Sequence, residues 1–150
     1  MDIKAQLNEA MKQAMRANDD VSRRTTRMAL AAIKQVEVDK RTALDDAAVI
    51  ALLQKEIKNR REAIEEAKKA NRADLVADNE AEIKVLERFL PKAMSAEELR
   101  ALAQQAISET GASTQADMGK VMKALLPKVA GRAAGDQVSG VVKELLSRQA

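Results

Sequence analysis

The chain has 150 residues, 46% of them hydrophobic, and 26 lysines and arginines against 23 aspartates and glutamates, for a net charge of +3. That length allows one domain or two small ones around an aliphatic core, since Phe89 is the only aromatic residue. Histidine and cysteine are both absent, which excludes disulfides, thiol nucleophiles, Ser-His triads and the usual general base near neutral pH, and removes the common zinc ligands. The same composition removes the aromatic platforms on which single-stranded bases stack.

The first predicted helix runs from about Asp2 to Ala17, with Ile3, Leu7, Met11 and Met15 as a stripe at four-residue spacing. It has no continuous apolar run, so neither a signal peptide nor a membrane span is expected. The lack of cysteine fits a reducing compartment, and a cytoplasmic location is expected. Asn18, Asp19 and Asp20 mark a turn, and a second helix follows from about Val21 to Val36 with Met28, Ala29, Ala32, Ile33 and Val36 as its apolar face. On its other side Arg23, Arg27 and Lys34 lie within roughly 40 degrees of one another, a basic stripe that an ordinary solvated face also explains.

Periodicity lapses from Glu37 to Leu44. A long charged helix is then predicted from about Asp45 to Ala70, with Val49, Leu52, Leu53, Ile57, Ile64 and Ala67 inward and the pairs Lys58–Glu62, Arg61–Glu65 and Glu65–Lys69 on its surface. Asn71, with Asp74 three residues on, is expected to cap a further helix through Ile83, Leu86 and Leu90, ended by Pro91. Ser95 and Glu98 form a capping-box pattern that starts a helix running to about Glu109, and Gly111 supplies the left-handed residue after it.

In the last third, Met118, Val121, Met122, Leu125 and Leu126 gather on one helix face with Lys120 and Lys123 opposite. Pro127 is expected to stop that helix near Leu126. A loop from Lys128 to Gly135 carries Lys128 and Arg132, with Gly131 and Gly135 supplying backbone freedom or close approach. After Asp136 as cap, Val138, Val141, Val142, Leu145 and Leu146 face inward and Lys143 lies off that face. Between Met118 and Gly135 there are four basic residues, Lys120, Lys123, Lys128 and Arg132, and no acid. Such a local field attracts polyanions, although four cations also suit a plain solvated surface.

The expected fold is all-α: an N-terminal helical domain of about four helices (residues 1–92), then a three-helix tail domain (residues 93–150). The chain holds no glycine-rich phosphate loop, nucleophile elbow or carboxylate-rich metal motif. No catalytic residue, metal site or cofactor is therefore expected.

Several stretches resemble the GatB/YqeY family: VIALLQKEIKNRREAIEEAKKANRADLV (Val49 to Val76), EIKVLERFLPKAMSAEEL (Glu82 to Leu99), ETGASTQADMGKVMKAL (Glu109 to Leu125) and GRAAG (Gly131 to Gly135). In that family this region forms the C-terminal helical and tail domains of the B subunit of glutamine-dependent aspartyl/glutamyl-tRNA amidotransferase, and it also occurs as small stand-alone proteins, which this chain resembles. The likeness implies a helical domain of about Met1 to Leu90 and a tail of about Ser95 to Ala150 that helps hold tRNA by its outer corner. Transamidation belongs to a separate catalytic cradle that none of these stretches resembles, so a label of carbon-nitrogen ligase with glutamine as amido-N-donor describes the larger enzyme.

The family motif carries over onto Met118-Gly119-Lys120, Lys123 and Gly131-Arg132-Ala133, implying phosphate contact by Lys120, Lys123 and Arg132, with Gly119 and Gly131 serving packing and loop geometry. Lys128 and Lys143 join them as candidate RNA-binding residues. The implied partners are tRNA and, on the protein side, an amidotransferase or an aminoacyl-tRNA synthetase. The rival expectation is a helical protein-interaction adaptor with no nucleic-acid role, offering faces that bear Met11, Met15, Met118 and Met122.

Overall fold

A computed structural model describes residues 2–149. Among these residues there are seven α-helices, one 3-10 turn and no strand: α1 (Ile3–Ala17), α2 (Asp20–Lys40), α3 (Asp46–Lys69), α4 (Ala73–Glu87), α5 (Ala96–Thr110), the 3-10 turn Gln115–Asp117, α6 (Met118–Val129) and α7 (Gly135–Gln149). The chain divides into two compact units, Met1–Leu90 and Pro91–Ala150. None of the helices is long and apolar enough to cross a membrane, among the described residues.

In the first unit, aspartates open three helices. The carboxylates of Asp2, Asp19 and Asp45 accept the backbone N–H groups of Ala5, Ser22 and Ala48, satisfying amides that lack a partner inside the helix. Asn18 and Arg41 close α1 and α2 in the left-handed conformation. Helix α1 packs along α2, and α4 packs on both α3 and α2. Leu7, Ile33, Val49, Leu53 and Leu86 fill the space between them, nearly or wholly withdrawn from solvent. Each such side chain contributes roughly 1.5–3 kcal/mol.

Several local expectations give way here. Met15 is 59% exposed, and Ala14 takes the inward place beside Ile3 and Leu7. A strict four-residue stripe drifts around a 3.6-residue helix, so its end leaves the core. Met28 is likewise exposed. Helix α2 runs on to Lys40, because Glu37 accepts hydrogen bonds from Lys4 Nζ (2.7 Å) and from the Leu44 N–H (2.9 Å), tying its last turn to α1 and to the loop beyond. Asn71 is a left-handed turn residue with φ 55°, and the residue preceding α4 is Arg72, which caps with no side-chain bond. On α3, Arg61 reaches Glu87, while Glu65 pairs with Lys68 and Glu66 with Lys69, in place of the expected four-residue pairs.

Among the described residues of this unit the buried charge is Arg60, 7% exposed. Its Nε donates to Glu82 Oε2 (3.0 Å) and its Nη1 donates to the carbonyl (3.1 Å) and carboxylate (2.9 Å) of Glu56. Glu82 Oε1 also accepts from Arg24 Nε at 3.1 Å, so one carboxylate joins α2, α3 and α4. Position 60 sits between Ile57 and Ile64 on the inward stripe of α3, the signal that distinguishes it from its charged neighbours.

In the tail unit, α5 opens with both halves of the predicted capping box. Ser95 Oγ accepts from the Glu98 N–H and Glu98 Oε2 accepts from the Ser95 N–H, each at 3.1 Å. Gly111 ends the helix at φ 66°. Helix α6 does not stop before Pro127 but continues to Val129. Val129 is 1% exposed, and its burial in the tail core favours keeping this last turn helical although proline deletes one backbone bond. Asp136 lies inside the first turn of α7, which begins at Gly135. The core is Leu99, Ile107, Val121, Leu125, Val138, Val142 and Leu146, with Met118 and Met122 packed against it.

Candidate nucleic-acid interface

Lys120 and Lys123 occupy neighbouring outward positions on α6, and Lys143 lies on the exposed side of α7. None of the three forms an ion pair among the described residues. The 3-10 turn connects them: Gln115 Nε2 donates to the carbonyl oxygen of Lys143 at 2.9 Å, anchoring the start of α6 against α7. Asp117, one turn before Lys120, turns back to accept the N–H groups of Ser113 (3.0 Å) and Thr114 (3.2 Å). Those bonds, with a smaller contribution from Lys120, hold its carboxyl below the ordinary value. Gly119 faces open space, so the close packing expected there is absent.

Lys128 and Arg132 are engaged within the tail. Lys128 Nζ donates to Glu109 Oε2 at 2.8 Å. That bond, followed by one from Gln105, keeps the Glu109 carboxyl below its usual range. Arg132 is a clasp: Nε donates to the Lys92 carbonyl (3.0 Å), Nη2 to Glu98 Oε2 (3.1 Å), and its own carbonyl accepts the Met94 N–H (2.8 Å). The Glu98 carboxyl is lowered by the Ser95 backbone amide and then by the Arg132 charge. Left-handed Ala130 (φ 49°) and Gly131 (φ 77°) shape this loop, whereas a Cβ at Gly135 would meet nothing. The stretch that is acid-free in sequence therefore receives Glu98 and Glu109 from α5. The signal for this was that both carboxylates lie on the outward side of a neighbouring helix.

On α2, Arg23 pairs with Asp20 at 2.9 Å, while Arg27 and Lys34 are exposed without an ion pair among the described residues. Of the four methionines expected to form partner-facing surfaces, Met118 and Met122 are half-buried against the tail core, Met11 is half-buried and only Met15 is exposed.

This architecture is that of an all-α protein built from a four-helix unit and a compact three-helix tail carrying outward lysines. The family model described as Yqey-like protein matches residues 4–146, and the chain belongs to that family. It is 40% identical over 91 residues to altered inheritance of mitochondria protein 41, mitochondrial, of Lachancea thermotolerans, covering 60% of this chain and 49% of that protein. The protein of the same name from Eremothecium gossypii is 38% identical over 112 residues, covering 72% of this chain and 61% of the relative. An uncharacterized protein of Schizosaccharomyces pombe is 29% identical over 90 residues, covering 60% of this chain and 73% of the relative. The chain thus spans about half the length of the first of these relatives.

Proposed function

We propose that the chain is an accessory module that binds structured RNA of the tRNA class through its tail unit, without performing amidation itself. The observation that carries this reading is the division of labour among the tail cations. Lys128 and Arg132 hold the fold together through Glu109 and Glu98, while Lys120, Lys123 and Lys143 stand exposed around the Gln115 bridge, with no ion pair among the described residues. Lysine ammonium groups on rigid helices meet phosphates as point charges and displace counterions, which supports affinity and orientation without base readout. The missing aromatic platforms favour a structured RNA over an unpaired strand. The likeness to the amidotransferase tail points to tRNA, and makes an amidotransferase or an aminoacyl-tRNA synthetase the protein that would work beside it.

The test is equilibrium binding to total tRNA across a salt series, with duplex DNA of equal charge as control. Preferential tRNA binding is expected, and the Lys120→Ala/Lys123→Ala/Lys143→Ala variant should flatten the logarithmic salt slope by about 3, roughly one for each phosphate that a lysine no longer neutralises. Its thermal unfolding should match the parent. Unchanged binding by that variant removes the proposed contacts, and equal affinity for both polymers reduces the site to general basicity.

A further inference from the structure

Helices α2 and α3 leave an open furrow of about 400 Å³ between them, lined by Ala32, Val36 and Lys40 on one side, Leu44 at the turn, and Ala48, Ala51, Leu52, Lys55, Glu56 and Asn59 on the other. Neither α1 nor α4 contributes to the lining. Six of the ten lining residues are aliphatic, the others being Lys40, Lys55, Glu56 and Asn59, and three alanines keep the walls low, which lets another backbone come close. Lys40 and Lys55 are exposed on opposite helices and form no ion pair among the described residues. The one carboxylate in the lining, Glu56, is bound by Arg60 Nη1 at 2.9 Å and does not offset them. The furrow is thus an apolar trough between two uncompensated positive charges.

That combination selects among occupants. RNA gains nothing from the methyl groups and has no aromatic ring to stack on. A second copy of this chain offers no continuous apolar helix face to insert: among the described residues its exposed large hydrophobics are Met15, Met28, Val38, Leu75 and Leu126, spread over four helices with the two on α2 ten residues apart, and each copy carries a net charge of +3. A helix with apolar residues at i, i+3, i+4 and i+7 and acids along its flanks satisfies both the trough and the lysines.

We propose that the α2–α3 furrow is a docking groove for an amphipathic, acid-flanked helix of a protein partner. The furrow belongs to the first unit and shares no residue with the tail lysines, so its failure leaves the RNA reading untouched.

The experiment uses the full chain, isotope-labelled, titrated with a designed peptide of about 18 residues, five helical turns, bearing leucines at those spacings and glutamates on both flanks. A twin peptide carries lysines in place of the glutamates. The acidic peptide should saturably shift the amide resonances of Ala32, Val36, Ala51 and Leu52. Lys40→Glu/Lys55→Glu should weaken it by about tenfold and reverse the preference toward the twin, an electrostatic signature that a merely sticky surface lacks. Ala51→Arg, at an exposed helical position, should obstruct the trough and abolish the shifts while leaving thermal unfolding unchanged. The proposal is overturned by equal binding of the two peptides, by no saturable shift, by concentration-dependent self-association that moves the same resonances without peptide, or by tRNA moving them where peptide does not.

Discussion

In the helical unit Ser22, Thr25, Thr26 and Arg60 are buried beside the aliphatic side chains, whereas every buried residue described in the tail unit is apolar. Two packing strategies therefore share one chain. The helical unit uses two guanidiniums, Arg24 and Arg60, and two carboxylates, Glu56 and Glu82, to register three helices. The tail puts its ionic contacts at the rim, where Arg132 and Lys128 fasten a loop and a helix end over a wholly aliphatic interior. A buried ionic cluster specifies an arrangement strictly, because removing one member strands the others, while rim pairs are individually weak and replaceable.

The most direct way to break this comparison is Arg60→Ala. It leaves Glu56 without its partner and Glu82 with Arg24 alone, and should cost about 2–3 kcal/mol by chemical denaturation, confined to the helical unit. A loss below about 1 kcal/mol would mean water already compensates the carboxylates and the network is not a registering device. For the tail, Leu125→Ala removes a fully buried side chain and should cost about 3 kcal/mol. Followed by amide exchange, it should loosen α5, α6 and α7 together. Loosening of α6 alone would show that the tail is less cooperative than its shared core implies.

Acid provides a milder comparison, because both units hold exposed or half-buried carboxyls below their ordinary values. In the helical unit these are Glu37, lowered chiefly by the Lys4 hydrogen bond, Asp74 by Arg72, and Asp19 by Ser22. In the tail they are Glu98, Glu109 and Asp117. Each is more acidic folded than unfolded, so the unfolded chain binds more protons in that window. Their stabilisation is complete above the ordinary values of 3.8 and 4.5 and is lost as the pH falls through the depressed folded values. Thermal melts should therefore drop in both units below about pH 4.5. A drop in one unit alone would contradict the similar rim electrostatics seen in the two. The smallest expected effect is Gly140→Ala in α7, where a methyl meets open space and helix propensity should raise tail stability by about 1 kcal/mol. No gain would place Gly140 at a contact surface.

Legibility in the sequence follows the range of the interaction. Ser95 with Glu98, and Gly111 after α5, are readable because a cap closes over three or four residues and depends on little else. The inward face of α3 is readable from its spacing, except that Arg60 is hidden in a run of charges although it fills the slot between Ile57 and Ile64. Pro127 misleads because α6 runs past it to the buried Val129, a core contact that the local rule for proline does not include. At the candidate site, the sequence identifies the tail cations but not their division into engaged and outward ones. Glu109 lies 19 residues from Lys128 and Glu98 lies 34 from Arg132, so no local pattern contains either pairing.

By itself, then, the amino-acid sequence determined the helical class, most helix ends, the aliphatic character of the cores and the absence of histidine and cysteine chemistry. These are properties of composition and of backbone bonds spanning a few residues. The tertiary structure alone decided which lysines face solvent without an ion pair among the described residues, how one carboxylate joins three helices, and that a furrow stays open between α2 and α3. Those depend on side chains distant in the chain meeting in space, where burial and charge pairing outweigh local preference.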